Sequence, residues 1–369
     1  MESENEEYLL SRDSHSLILE DRNWSLVTEF WSTCITVDDR MRLPFWVLGS
    51  SSSSSSSSSS VDFNYGITNI KEIHEIGKDE YNSLDPRHKR QTFAIRIGYN
   101  GCEYRGYQMQ KGLNNNTVEG DIYNALGLST NAAGRTDSNV SAISQVISFH
   151  SHDNLTPDDI LQKLKDSDAC KSKRLGAWDC YRVPRKFHAL FSATWRRYLY
   201  LLPLKVNEAN KDTIYDIDVE FVNLLFQKLE GLPLSYNAFA YREWITSNDD
   251  ICTLYKSSAF LVDLDISDSF SHNSDSSDRS SMKKPAMCVE LVGTRFLRRM
   301  VRILVATACK ESLLPSAVRD PEKLLNLCKE GDRKKAHSPI NGIGLAMAGV
   351  GYPLNDLKPK HGISRKRKL

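Results

Sequence analysis

Ala133-Gly-Arg-Thr-Asp137-Ser-Asn-Val-Ser-Ala142 carries the residue types in this chain best suited to chemistry. A glycine turns the loop, an arginine and a carboxylate stand two residues apart, and a strand-like run follows. Loops held by rigid elements are where catalytic groups concentrate, so Asp137 and Arg135 are candidates for a site. The same residues also make an ordinary Arg–Asp turn, and the loop alone does not separate the two readings. Other chemistries have less support. The eight cysteines (34, 102, 170, 180, 252, 288, 309 and 328) contain no Cys-x-x-Cys pair, which excludes a zinc finger or ribbon on spacing. Gly98–Gly106 could suggest a nucleotide-binding protein, but it lacks both Gly-x-Gly-x-x-Gly and a Walker lysine.

The elements around the loop follow from periodicity. Phe93, Ile95, Ile97 and Tyr99 alternate with smaller or polar residues, the pattern of a half-buried strand. Thr117 caps a helix with Val118, Ile122 and Leu126 four apart, ending at Gly127. Gln145–Phe149 reads as a strand and Thr156-Pro157-Asp158-Asp159 as a well-capped helix start. Ser192–Leu202 is a long strand with Arg196, Tyr198 and Tyr200 on one face. Val222, Leu225, Phe226 and Leu229 mark a helix, Phe260–Asp263 and Met287–Val292 a hairpin, and Phe296–Cys309 another helix. Strands and helices without strict alternation predict an α+β fold, with helices covering one face of a sheet.

The 369 residues hold 48 Lys/Arg and 47 Asp/Glu, a balance that conceals an asymmetry. Residues 1–90 have 9 basic against 16 acidic side chains, and the stretch from Asp263 to Ser280 has five Asp and one Arg. What remains is basic by 12 charges, which suits a polyanionic partner as well as a merely soluble surface. Ser50–Ser60 is an unbroken serine run, a linker that cannot build a core. The aromatic residues before it (Trp24, Phe30, Trp31, Phe45, Trp46) show no clear period. We therefore expect 1–91 to be an acidic, largely disordered extension and 263–284 an expanded hairpin loop. The basic tail, 356–369, is open to three readings: nuclear import, RNA contact or a solvated end. No apolar run approaches the roughly 18–20 residues of a membrane span, and the acidic N-terminus does not look like a targeting peptide. A reduced protein of nucleus or cytoplasm is the expectation.

Six segments, in order, resemble the motifs of the TruA family of tRNA pseudouridine synthases. They are Ile97-Gly-Tyr-Asn-Gly101 with Tyr104-x-Gly106-Tyr-Gln108, the Gly134-Arg-Thr-Asp137 loop with Gln145-Val146, Phe187–Tyr200, Tyr236–Arg242, Gly293–Arg302 and Gly344–Pro353. The resemblance implies a pseudouridine synthase fold of two related ferredoxin-like halves, 92–205 and 206–355, whose sheets join around an RNA cleft. It also implies the isomerisation of uridine to pseudouridine in tRNA without cofactor or metal, by a monomer or homodimer.

By that resemblance Asp137 is the essential carboxylate, adding to C1′ of the ribose or removing the C2′ proton. Arg135 helps hold the target nucleotide out of its stack, Tyr198 packs on the uracil, and Arg302 pairs with the carboxylate and keeps it ionised. A catalytically silent RNA-binding protein on the same fold is the alternative; the presence of all four residues argues against it. His188 and Tyr200 read as structural. Three departures matter. Ser138-Asn139 replaces the family's glycine-containing pair, and Asn is the best substitute where a positive φ is required. Ser141 matches the eukaryotic-like version of the motif. Only Leu128–Ala132 separates the preceding helix from the loop, which predicts either a truncated strand with Asp137 less firmly anchored than in relatives or a sequence from a transcript lacking a short segment. Residues 1–90 and 265–284 carry no motif and are expected to be dispensable for chemistry.

Overall fold

The computed structural model describes residues 18–36, 44–48, 70–82, 90–110, 116–207, 214–241, 250–264 and 284–353. Thr117 and Thr156 begin helices as expected: the Thr117 hydroxyl accepts from the Gly120 N–H (3.2 Å), and Thr156 forms a capping box with Asp159. In chain order the main elements of the first part are α1 (Trp24–Thr36), α2 (Ile70–Asn82), β1 (Gln91–Tyr99), α3 (Val118–Leu126), β2 (Asn131–Ala132), β3 (Ser141–Ser151), α4 (Pro157–Lys165) and β4 (Leu175–Val183). There follow β5 (Trp195–Pro203), α5 (Val219–Gln227), β6 (Pro233–Ser235), β7 (Ile251–Asp263), β8 (Pro285–Gly293), α6 (Met300–Ser312), α7 (Lys323–Glu330) and β9 (Leu345–Gly351). The fold is α+β, its strands mostly antiparallel and flanked by helices.

The chain divides into two compact units, Met1–Thr33 with Arg197–Ala346, and Cys34–Arg196 with Met347–Leu369. The division falls inside β5, at Arg196/Arg197. In the second unit the strands lie in the order β4-β1-β3, and β2 pairs with β3. Its sequence order is strand, helix, short strand, strand, helix, strand. In the first unit β5, β8, β7 and β6 are successive neighbours. The hairpin β7–β8 closes with Asp263 opposite Pro285, so the low-complexity insert, whose residues 265–283 lie outside the described ones, sits between paired strand ends.

Strand β1 is buried along its whole length, not on one face. Phe93, Ile95, Ile97 and Tyr99 are fully buried, as expected. The other side holds Ala94 and Arg96, and Arg96 makes an ion pair with Asp179 of β4. Helix α2 packs on β4 and β1, burying Ile70 and Ile73 and stacking His74 on Tyr181 at 5.6 Å between ring centres. A strand covered on both faces needs no alternation of polar residues.

The segment read as largely disordered thus contributes structure among its described residues. In α1, Val27, Phe30, Trp31 and Cys34 recur at helical spacing and are all buried. The Trp31 indole donates to the carbonyl of Ile343 at 3.1 Å, and Arg22 pairs with Asp216 at 2.7 Å, all within the first unit. Burial also pushes the thiols of Cys180, Cys252, Cys309 and Cys328 up to about 12, which keeps them protonated and inert. Trp31→Ala should cost about 3–5 kcal/mol of stability, the range for a fully buried large aromatic, read by chemical denaturation. Deleting 1–90 should lower the melting temperature sharply, whereas deleting 265–283 should leave it near the parent value.

Candidate active site

The Asp137 loop begins where β2 ends. Asn131 and Ala132 pair with Ser148 and Ile147 of β3, and the Ala133 N–H continues the ladder to the Val146 carbonyl at 2.9 Å. The strand is truncated, as its length predicts. Beyond it the loop is held by side chains. The Gln145 amide donates to the Gly134 carbonyl at 2.7 Å while its oxygen accepts from the Val146 N–H at 3.1 Å. The Arg196 guanidinium donates to the carbonyls of Ala133 (3.0 Å) and Leu190 (2.9 Å). Thr136 shares a hydrogen bond with the Tyr99 hydroxyl at 2.9 Å, and its carbonyl accepts from the Tyr107 N–H at 3.1 Å. Weak anchoring, expected from the missing strand, is therefore not what the structure shows.

Asp137 opens a turn in which its carbonyl accepts from the Val140 N–H at 3.3 Å. The third residue of that turn, Asn139, has φ 63°, the conformation type II turns reserve for Gly or Asn. The expectation from Ser138-Asn139 holds for this reason. The Asn139 N–H reaches the Tyr104 carbonyl at 3.5 Å. Tyr104 is itself held by Asp121 (2.9 Å), which also takes two hydrogen bonds from Arg174. Gly101 and Gly106 let the first motif lie against the loop. A Cβ at Gly101 would come within 2.3 Å of the Val140 backbone, and one at Gly106 within 3.4 Å of Thr136 and Ser138. Ser141 accepts the Gly101 N–H at 2.9 Å. Arg135 is exposed on this loop and Asp137 half-buried.

The other two candidates lie in the first unit. Tyr198 is nearly buried on β5, and its ring meets the Phe296 ring edge-on at 4.9 Å. Arg302 sits in the first turn of α6 and donates through Nε to the Ile340 carbonyl at 2.6 Å. Helix α6 begins at Met300 and not at Phe296, because Arg299 has φ 63° and breaks the helical path. Tyr200 is structural: it is fully buried and donates to the Asn341 carbonyl at 2.8 Å. The motifs alone gave Gln145 and Arg196 no role, although both stand as polar residues in strand-forming runs, which is the signal that finds them. Among the described residues no three His, Cys, Asp or Glu side chains come together as a metal site requires.

His188 also serves the fold, because its Nδ1 accepts from the N–H groups of Leu190 (3.2 Å) and Phe191 (3.4 Å). Burial holds its pKa below 6.5. The unfolded chain therefore takes up this proton at higher pH than the folded one, so the contribution is complete above about pH 6.5 and is lost as the pH falls. In His188→Gln, the decline in melting temperature between about pH 6.5 and 5 should be shallower than in the parent. At the turn, Asn139→Gly should keep both stability and turnover. Asn139→Val, with a β-branched residue forced to positive φ, should lose about 1–3 kcal/mol and turnover with it.

No protein-family model matches this chain. Individual relatives do. The tRNA pseudouridine synthase A of Thermosipho africanus is 29% identical over 273 residues, covering 69% of this chain and 97% of that protein. Its namesake from Lacticaseibacillus casei is 27% identical over 273 residues, with 70% and 99% covered. That of Pyrococcus horikoshii is 27% identical over 275 residues, with 71% and 87% covered. With six motifs in order and an α+β fold, the chain is similar to the tRNA pseudouridine synthase A proteins over nearly their whole length.

Proposed function

We propose that this protein converts uridine to pseudouridine in tRNA, with Asp137 as the essential carboxylate. The observation that carries the reading is the Asp137 turn, fixed by Asn139 at positive φ and by hydrogen bonds to the residues just before it from Gln145, Arg196 and Tyr99. A side chain that only decorates a surface needs no such support. In the reaction the C1′–N1 bond breaks, the uracil turns, and C5 bonds to C1′. The C5 proton leaves and N1 gains one, so the change is an isomerisation. The carboxylate either adds to C1′ and is displaced, or removes the C2′ proton and returns it.

To Arg135, exposed on the same loop, we assign the contact that replaces the stacking and pairing an extruded nucleotide loses, a cost of a few kcal/mol. To Tyr198 we assign the face on which the uracil packs; the edge-on contact with Phe296 sets its ring plane. To Arg302 we assign the positive charge that keeps the carboxylate ionised; the Ile340 carbonyl fixes the guanidinium by its Nε. Asp137→Asn keeps the side-chain shape and removes the anion. Pseudouridine formation in a tRNA transcript should fall below detection, while tRNA affinity and melting temperature stay near the parent values. Turnover close to the parent's would overturn the assignment.

A further inference from the structure

Arg299 is the wrong residue for its backbone. It stands at the start of the 13-residue helix α6, where Ser, Thr, Asp or Asn in an extended conformation would cap the helix. It instead has φ 63° and makes no capping hydrogen bond. The left-handed region favours Gly or Asn, and a long side chain held there is strained. A residue that suits neither demand of its position is retained for its side chain.

That side chain is held in place. The Arg299 guanidinium carbon lies 4.8 Å from the ring centre of Tyr241, and that of Arg298 lies 5.6 Å from the same ring. The ring belongs to an exposed tyrosine whose N–H donates to the Arg298 carbonyl at 3.3 Å. Two cations are thus gathered on one aromatic, which attracts both through its quadrupole and limits their rotation. The Nε of Arg299 is buried and has no acceptor among the described residues. The buried Nε anchors the stem and leaves the outer edge of the guanidinium for a ligand. An oxyanion can take two Nη–H groups together, a paired geometry that suits phosphate. The start of α6 adds the positive end of a helix dipole to the same place.

We infer that Arg299, with Arg298 and Tyr241, forms a preorganised clamp for a backbone phosphate of the RNA. The inference rests on the proposed tRNA substrate and assigns a contact away from the uracil. Strain and stacking fix the guanidinium before RNA arrives, so little side-chain entropy is lost on binding.

The test uses the full chain, an unmodified tRNA transcript and filter binding at several salt concentrations. Arg299→Gly relieves the backbone while removing the cation. Its melting temperature should equal or exceed the parent's, and its affinity should fall roughly tenfold, the loss expected for one charge-assisted hydrogen-bonded contact. The slope of log Kd against log salt should flatten by about 0.7–0.9, the value for one phosphate. Arg299→Lys, with charge but no paired Nη–H groups, should lie between. Parent-like affinity and slope in Arg299→Gly would overturn the clamp. So would a melting temperature several degrees lower, since the arginine would then serve the fold. Pseudouridine formation by the parent protein separates this from the functional reading. A parent that binds tRNA without forming pseudouridine refutes the function and leaves the clamp, whereas normal modification with unchanged Arg299→Gly binding refutes the clamp alone.

Discussion

A carboxylate acts as nucleophile or base only from a fixed position, and a misplacement of about 1 Å costs on the order of a hundredfold in rate. For Asp137, the carboxylate proposed for that role, the position depends on the buried amide of Gln145. Strand β2 has two residues, whereas β7, which occupies the corresponding place in the other half's order of strands, has thirteen. A long strand would fix the loop through its ladder. With two residues, the ladder ends at Ala133 and the next carbonyl, that of Gly134, is satisfied by Gln145 instead. The amide is fully buried, so breaking the contact leaves it unpaired in the interior, at about 1–3 kcal/mol. The cost of its absence makes the contact firm.

The first unit solves a similar problem with charge. Arg197 is fully buried on β5 and pairs with Glu290 of β8 at 2.6 Å, and Lys256 of β7 reaches the other oxygen of Glu290 at 2.6 Å. Such a triad gains little net stability, because desolvation offsets most of the attraction. Its effect is on register. A slip of β5 by one residue would expose the pair to apolar neighbours and turn every side chain to the opposite face. Because side chains alternate along a strand, fixing Arg197 on one face fixes Tyr198 on the other, where Phe296 meets it.

Local signals were legible in the residues. Thr117, Thr156 and Gly127 mark helix ends through capping chemistry that acts within a few residues, and Asn139 declares its positive φ by its type. What the sequence hides depends on contacts made at a distance. Strand β1 alternates as a half-buried strand does, and only the arrival of α2, which lies between the serine run and the strand, buries its second face. Arg196 is inconspicuous in sequence because the carbonyls it holds are 63 and 6 residues away. The start of α6 was misplaced because Leu297, Met300, Val301 and Leu304 keep a helical period across a residue whose backbone breaks it. Attention to aromatics alone hid the period of α1, which needs Val27 and Cys34 to complete it.

The two acidic, low-complexity additions look alike in composition and differ physically. The insert joins β7 to β8, whose pairing is complete up to Asp263 and Pro285. Outside that pair Leu264 and Lys284 still exchange hydrogen bonds across the root, the Leu264 N–H to the Lys284 carbonyl and the Lys284 N–H to the Asp263 carboxylate, each at 3.0 Å. Lengthening a loop whose ends are already fixed costs only about 0.6 kcal/mol for each doubling, so the hairpin tolerates any composition there. The N-terminal segment is different because it supplies surface that other elements lack. Without residues 18–36, the carbonyl of Ile343 loses the Trp31 indole and Asp216 loses Arg22, whose side chain is fully buried against it. Net charge distinguishes the two poorly, since both are acidic. Burial distinguishes them at once: a segment whose Val27 and Trp31 are fully buried belongs to the core, whatever the charge of the residues around it.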